Sequence, residues 1–245
     1  MTQGTVLILG AQSDIAKSIA NKFAANGYNL LLASRGSSNF GDEISDLKLQ
    51  FNVDVNFYEF DVLKLDTHKA FIQNLKEIPS IVICAIGLMG DQNECEKKDD
   101  LRTKVLRTNF EGPVNIISEF SNIFENRGSG TIVGISSVAG ERGRSSNYIY
   151  GSAKAGFTTF LSGLRNRLAK KNVHVLTVIP GTVYTKMTSG LKLPKFFTSS
   201  SNDVAKDIYF AIKKKKNVIY TMKVWRFIML MIKCIPERIF KNTSF

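Results

Sequence analysis

The sequence predicts an α/β fold, a doubly wound parallel sheet of Rossmann type forming a single domain with a helical C-terminal appendage. Two observations carry this. Short β-branched and aliphatic runs recur at 5–9, 29–33, 55–58, 81–85, 131–136, 173–179 and 218–220, and helical periodicity fills 14–26, 66–75, 102–125, 150–170 and 202–214. Strands that are apolar throughout and alternate with helices belong to a parallel sheet covered on both faces. A length of 245 residues suits one such domain. With 44% hydrophobic and 22% charged residues the chain can bury an ordinary core, which argues against disorder away from the ends.

Charge and cysteine usage narrow the class. The net charge is +12, and residues 211–245 hold nine basic residues against one acidic, so +8 of the excess is local to the tail. A local excess points to a local task, such as an anionic surface or a phosphorylated ligand, and no nucleic-acid partner is expected. Three separated cysteines suggest no disulfide framework and fit a reducing, cytoplasmic compartment. Two histidines leave no Cys/His metal cluster, so no metal is expected. The first apolar run lacks a basic leader and reads as a strand, and no stretch of about 20 apolar residues predicts a spanning helix.

Taken in order, the strand ends carry the candidate chemistry. After the first strand, Leu9-Gly10-Ala11-Gln12-Ser13-Asp14-Ile15-Ala16 turns into a helix, aiming backbone N–H groups and a helix N-terminus at a phosphate. Asp14 and Ala16 replace the second and third glycines of the usual signal, and Ser13 or Asp14 also suits a helix cap. The second strand ends Ala33-Ser34-Arg35. An arginine there grips a 2′-phosphate, favouring NADPH over NADH, or is simply a solvated charge. The third ends Phe60-Asp61-Val62, where Asp61 accepts from an adenine amino group or starts a turn. The fourth ends Cys84-Ala85-Ile86-Gly87, with Gly87 permitting close backbone approach.

The fifth strand ends at Ser137, and thirteen residues later Tyr150 and Lys154 share one helical face. The ammonium is expected to lower the phenol pKa from about 10 and make Tyr150 a proton donor to a carbonyl. Tyr209 and Lys213 have the same spacing but no strand-terminal serine before them. The segment 181–200 has no clear period and reads either as a lid over an active site or as a surface loop.

Together the first turn, Asp61, Thr108-Asn109-Phe110, Ser137, Tyr150-Gly151-Ser152-Ala153-Lys154 and Pro180-Gly181-Thr182-Val183-Tyr184-Thr185 resemble the short-chain dehydrogenase/reductase signature over about residues 4–220. That resemblance implies roles. Tyr150 is the acid/base, Lys154 binds the nicotinamide ribose, Ser137 orients the substrate carbonyl, and Asn109 holds a water in a proton relay. The cofactor lies along Gly10, Gln12, Ser13, Asp14, Ile15, Arg35, Asp61, Val62, Ala85 and Gly87 and under Pro180, Gly181, Val183 and Thr185. It also implies helices around Asn109 and Tyr150 that pack across a homo-oligomer.

Within the family, Gly87-Leu88-Met89-Gly90-Asp91-Gln92, the run 139–147 and Ile235-Pro236-Glu237-Arg238-Ile239-Phe240 are similar to decaprenylphosphoryl-2-keto-ribose reductases. This implies reduction of a lipid-linked keto-sugar for cell-envelope polysaccharide. A soluble ketone or 3-ketoacyl reductase and a non-catalytic NADP-binding scaffold are the alternatives; the intact Ser137, Tyr150 and Lys154 argue against the last. Arg142 and Arg144 either meet a substrate phosphate or are solvated loop charges.

The chain divides into a reductase domain, 1–222, and a basic, apolar segment, 223–245. Residues 223–235 form a helix of about 20 Å, too short for a core of roughly 30 Å. Val224, Phe227, Ile228, Met231 and Ile235 share one face, with Lys223, Arg226 and Lys233 near another and Trp225 suited to lipid headgroups. The expectation is peripheral contact with the inner face of the cell membrane; packing on the domain or on a second subunit is the other reading.

Overall fold

The computed structural model describes residues 3–36, 41–190 and 195–243. Strands β1 (Thr5–Leu9), β2 (Asn29–Ser34), β3 (Val55–Glu59), β4 (Ile81–Cys84), β5 (Gly130–Ile135) and β6 (Val173–Pro180) are followed by a separate short pair, β7 (Thr182–Tyr184) and β8 (Thr198–Ser200), and by β9 (Val218–Thr221). The main sheet is seven-stranded and parallel, in the order β3-β2-β1-β4-β5-β6-β9. Leu9 lies beside both Ala33 and Cys84, and Cys84 beside Gly134, so the strands finish along one edge. The order reverses between β1 and β4, which opens a crevice at that edge.

The pleat sends alternate residues of each strand to two cores. Val6 and Ile8 pack with α1 (Asp14–Ala24) and α8 (Ser201–Lys213), while Leu7 and Leu9 pack with α6 (Gly112–Arg127) and α7 (Tyr148–Leu168). Fully buried Phe120, Phe124, Phe157 and Leu161 fill the second core. Each such side chain contributes about 1.5–3 kcal/mol of burial.

The helix expected over 102–125 is broken. It runs as α5 (Asp99–Leu106), a π turn (Arg107–Glu111) and then α6. Pro113, in the first turn of α6, has no N–H for the carbonyl of Asn109 four residues back, so the α ladder cannot continue through this point. Two further helices, α2 (Gly41–Phe51) and α4 (Gln92–Lys97), were not legible in the periodicity. The segment 181–200 is not formless: β7 and β8 are joined through Thr182 Oγ1, which bonds Phe197 O at 2.8 Å and Thr198 Oγ1 at 2.9 Å, while residues 191–194 lie outside the described residues.

At the C-terminal end, α9 (Val224–Cys234) and α10 (Glu237–Phe240) are seated on the domain. Trp225 and Met229 are buried with Val138 and Ile179, and Trp225 Nε1 donates to Phe197 O at 2.9 Å. This overturns the placement of Trp225 at a headgroup level. It also rotates the helix relative to expectation: the inward row is Val224, Trp225, Ile228, Met229 and Ile232, while Phe227, Leu230 and Met231 face outward. Among the described residues no helix is long and apolar enough to cross a membrane.

Gly181 permits this seating, because a Cβ there would stand 1.9 Å from Trp225 Nε1. Gly181→Ala is therefore expected to displace Trp225 and destabilise the protein by about 1–3 kcal/mol, the usual cost of overpacking. Trp225 is the single tryptophan of the chain. A red shift of its emission with an earlier denaturation midpoint is the predicted result; unchanged emission contradicts the packing described.

Candidate active site

The strand edge closes around one buried cation. Lys154, on α7, is 3% exposed. Its Nζ donates to Ile135 O at 3.0 Å and to Ile86 O at 3.3 Å, the first at the end of β5 and the second just beyond β4. Burial lowers its pKa to about 8, with the nearby Cys84 thiol acting weakly the other way. Two further contacts bring α7 against the end of β5. Ser136 Oγ donates to Lys154 O at 3.0 Å and is 2.6 Å from Thr158 Oγ1. At Gly140 a Cβ would lie 2.6 Å from Ala155 N, so the loop after β5 touches the helix backbone directly.

This contact delivers Ser137 to Tyr150. The two side chains are hydrogen-bonded, and Ser137 Oγ also accepts from Ala139 N at 3.1 Å. Burial pushes the Tyr150 phenol up to about 12, opposed by the Ser137 bond. The expected depression by Lys154 is thus corrected. The ammonium lies 5.8 Å from the Tyr150 ring centroid and spends protons on carbonyls, so desolvation decides the phenol's affinity. The phenol accordingly stays protonated across the neutral range, the form a proton donor needs.

Asn109, in the π turn, is fully buried and lines neither the cleft nor the smaller cavity beside it. Its Nδ2 donates to Leu88 O at 2.6 Å and Val105 O at 2.8 Å, and its Oδ1 accepts from Leu88 N at 3.2 Å. Its carboxamide is thereby committed to shaping the loop after β4. Any water it holds would be on its main chain, whose carbonyl Pro113 leaves without an i+4 donor.

The other expected positions converge on two adjoining spaces. Gln12, Ser13, Asp14, Ile15, Ala85, Gly87, Ser137, Tyr150, Lys154, Pro180, Gly181, Val183 and Thr185 line a cleft of about 850 Å³. Gly10, Arg35, Asp61 and Val62, with Gln12, Ser13, Ala85 and Gly87 again, line a neighbouring cavity of about 230 Å³. Gln12, Ser13, Ala85 and Gly87 line both spaces, so the two adjoin past the end of β1, along the course an extended dinucleotide would follow. Gly10 has φ +83°, and a Cβ there would stand 3.1 Å from the Ala85 main chain. Arg35 is exposed at the far end, its carbonyl accepting from Gln12 Nε2 at 2.7 Å. Asp61 Oδ1 accepts from Leu63 N at 3.0 Å and so holds its own turn. Ser13 caps α1 through Ala16 N at 3.2 Å.

Sequence reasoning missed several parts. Asp14 Oδ2 accepts from Lys186 N at 2.6 Å, tying the first turn to the segment after β6 across the cleft. Lys104 and Thr108 join the smaller cavity from α5 and the π turn. Gln92 Oε1 accepts from Ile149 N at 3.3 Å in the first turn of α7. Only the serine preceding Ser137 carried a local signal, its place at a strand end. Among the described residues no His/Cys/Asp/Glu group is arranged to hold a metal ion.

With this geometry in place, comparison with known proteins is informative. The short chain dehydrogenase family model matches residues 4–194. An uncharacterised oxidoreductase of Mycobacterium tuberculosis is 29% identical over 240 residues, covering 97% of this chain and 96% of that protein. A 3-oxoacyl-[acyl-carrier-protein] reductase of Chlamydia trachomatis is 30% identical over 190 residues, covering 76% and 77%. A short-chain dehydrogenase from Sphingobium yanoikuyae in complex with NADPH superposes with a TM-score of 0.81 at 21% identity, covering 95% and 96% of the two chains.

The buried ammonium has a thermodynamic consequence. The folded pKa of Lys154 is about 8 against an ordinary 10.5, so the folded state carries a penalised charge below about pH 8. That cost is relieved as pH rises from about 8 to 10.5, because the unfolded chain binds more protons there. The stability difference between wild type and Lys154→Met should therefore shift in favour of wild type over that window, by on the order of 2–3 kcal/mol. Denaturant unfolding at pH 7.5, 9 and 10.5 measures it; parallel pH profiles contradict the assignment.

Proposed function

We propose, from the premise that the chain belongs to the short-chain dehydrogenase/reductase family and interconverts ketones and alcohols with a nicotinamide dinucleotide, that it works as an NADPH-dependent ketone reductase. The observation that carries this is the meeting of Ser137, Tyr150 and Lys154 on the wall of the larger cleft. The cofactor, held along Gly10 to Ile15 and under Pro180 to Thr185, supplies the hydride. Ser137 orients the carbonyl oxygen beside the phenol. Burial keeps the proton on Tyr150 Oη until that oxygen gains charge and takes it. Lys154 holds the cofactor ribose and keeps the local charge positive while the proton leaves Tyr150. Arg35 grips the 2′-phosphate, with Lys104 beside it in the smaller cavity.

The ketone belongs to a lipid-linked keto-sugar in this reading, and a 3-ketoacyl or soluble ketone reductase is the alternative. One feature supports the first. The outer face of α9 leaves Phe227, Leu230 and Met231 each more than half exposed, on a helix that also carries Arg226 and Lys233 and follows Lys223. An apolar row within a basic surround matches an anionic lipid surface. Truncation at Met222 would strip Trp225 and Met229 from the domain, so the cleaner variant is Phe227→Ser with Leu230→Ser and Met231→Ser. Wild type should co-sediment with phosphatidylglycerol vesicles at low salt and the triple variant should not. Equal binding overturns the surface, and concentration-dependent dimerisation lost in the variant reassigns it to a second copy.

Tyr150→Phe is expected to lower kcat by about 10²–10⁴, the usual worth of a general acid, with NADPH affinity retained. Near-normal turnover in this variant removes the acid role. Arg35→Ala should weaken NADPH about ten- to a hundredfold while leaving NADH little changed, because only NADPH has the 2′-phosphate. Equal losses for both cofactors would make Arg35 structural.

A further inference from the structure

The loop after β5 carries three charged residues close together, and the fold uses two of them. Glu141 accepts from Tyr220 Oη and lies 3.7 Å from Lys233 Nζ. Arg142 donates to Lys233 O at 3.0 Å and Glu237 Oε2 at 2.8 Å, with its guanidinium carbon 4.1 Å from the Phe240 ring centroid. Both thus fasten α9 and α10 to the domain.

Arg144 does neither. Among the described residues its side chain has no hydrogen bond and no carboxylate within 4 Å, and its Nε is buried without a partner. Burial pulls its pKa below the ordinary guanidinium value. The group nevertheless stays charged at neutral pH, and a partly buried cation without a paired anion is costly to hold. It lines the same cleft as Ser137 and Tyr150. With Ser145 it also lines a second cavity, of about 210 Å³, that Lys241 and Thr243 share. Glu237, the carboxylate among those lining residues, is already paired with Arg142. On the cleft wall Asn147 has its Oδ1 buried without a donor.

We propose that Arg144 is an oxyanion subsite for the substrate, and that the reducible ketone carries a phosphate group seated between Arg144 and Lys241. This rests on the ketone-reductase reading and narrows its substrate class to phosphorylated, hydroxyl-bearing ketones. Such a molecule supplies both missing partners, an anion for Arg144 and a hydroxyl donor for Asn147. A guanidinium takes a phosphate through two parallel hydrogen bonds, whereas a lysine offers a point charge, so Arg144→Lys retains only part of the function.

The test compares dihydroxyacetone phosphate with dihydroxyacetone at saturating NADPH, so that cofactor phosphates already occupy their own sites. Wild type is expected to favour the phosphorylated ketone by roughly ten- to a hundredfold in kcat/KM, the range for a hydrogen bond to a charged group. Arg144→Gln should cut that ratio at least about tenfold, Arg144→Lys should keep part of it, and Lys241→Gln should lower it less. Thermal melting of each variant separates a folding defect from a binding one, and Lys241→Gln keeps the test informative if Arg144→Gln does not fold. No preference in wild type, or the same ratio in Arg144→Gln, overturns the subsite. If wild type binds NADPH but reduces neither ketone, the reductase reading fails for these probes and the subsite is read by calorimetry. Dihydroxyacetone phosphate titrated into protein saturated with NADP⁺ should bind wild type and be lost in Arg144→Gln; absence of binding in both overturns it.

Discussion

Lys154 carries a charge that the interior disfavours, and the surrounding architecture is what makes it tolerable. A buried ammonium is costly unless its protons find acceptors. Here the acceptors are carbonyls beside the ends of two adjacent parallel strands, Ile86 O and Ile135 O. That requirement sets how far α7 descends toward the sheet. Ser136 pins the helix at the Lys154 carbonyl, and Gly140 lets the strand loop touch the helix backbone. Ser137 and Tyr150 meet because these contacts hold their backbones together. Asn109 then fixes Leu88, two residues beyond Ile86, through both its donor and its acceptor. The site is preorganised by main-chain contacts around one charge, and its reactive side chains are attached to that frame.

The same economy governs the basic C-terminal segment. Part of its charge is structural: Lys233 answers Glu141, and Glu237 answers Arg142. Part is left at the surface with Phe227, Leu230 and Met231. The helix α9 packs one apolar row on Val138, next in sequence to Ser137, and on Ile179, and it retains another row outward. The segment between β7 and β8 joins this assembly through the bond from Trp225 to Phe197 O, and Asp14 reaches the residues after β7 from the opposite lip. The segment after β6 thus touches both lips of the cleft, through Trp225 on one side and Asp14 on the other.

By itself the sequence determined the alternating α/β architecture, because fully buried parallel strands must be apolar on both faces and that pattern is local. It also placed Gly10, Ser137, Tyr150 and Lys154 at the ends of strands or on one helix face, since spacing of four and strand-terminal position are read from neighbours. The tertiary structure decided what depended on distant partners. Whether Lys154 lowers the Tyr150 pKa was set by burial and by carbonyls 19 and 68 residues away. Which of Arg142 and Arg144 was structural depended on Glu237, 95 residues from Arg142. The side of α9 that turns inward followed from the space above Gly181, and the break at Asn109 from a proline whose effect on the ladder was hidden within a longer apolar period. Periodicity reports which faces are apolar; only packing reports which of two apolar faces finds a partner, and only burial decides how a charge titrates.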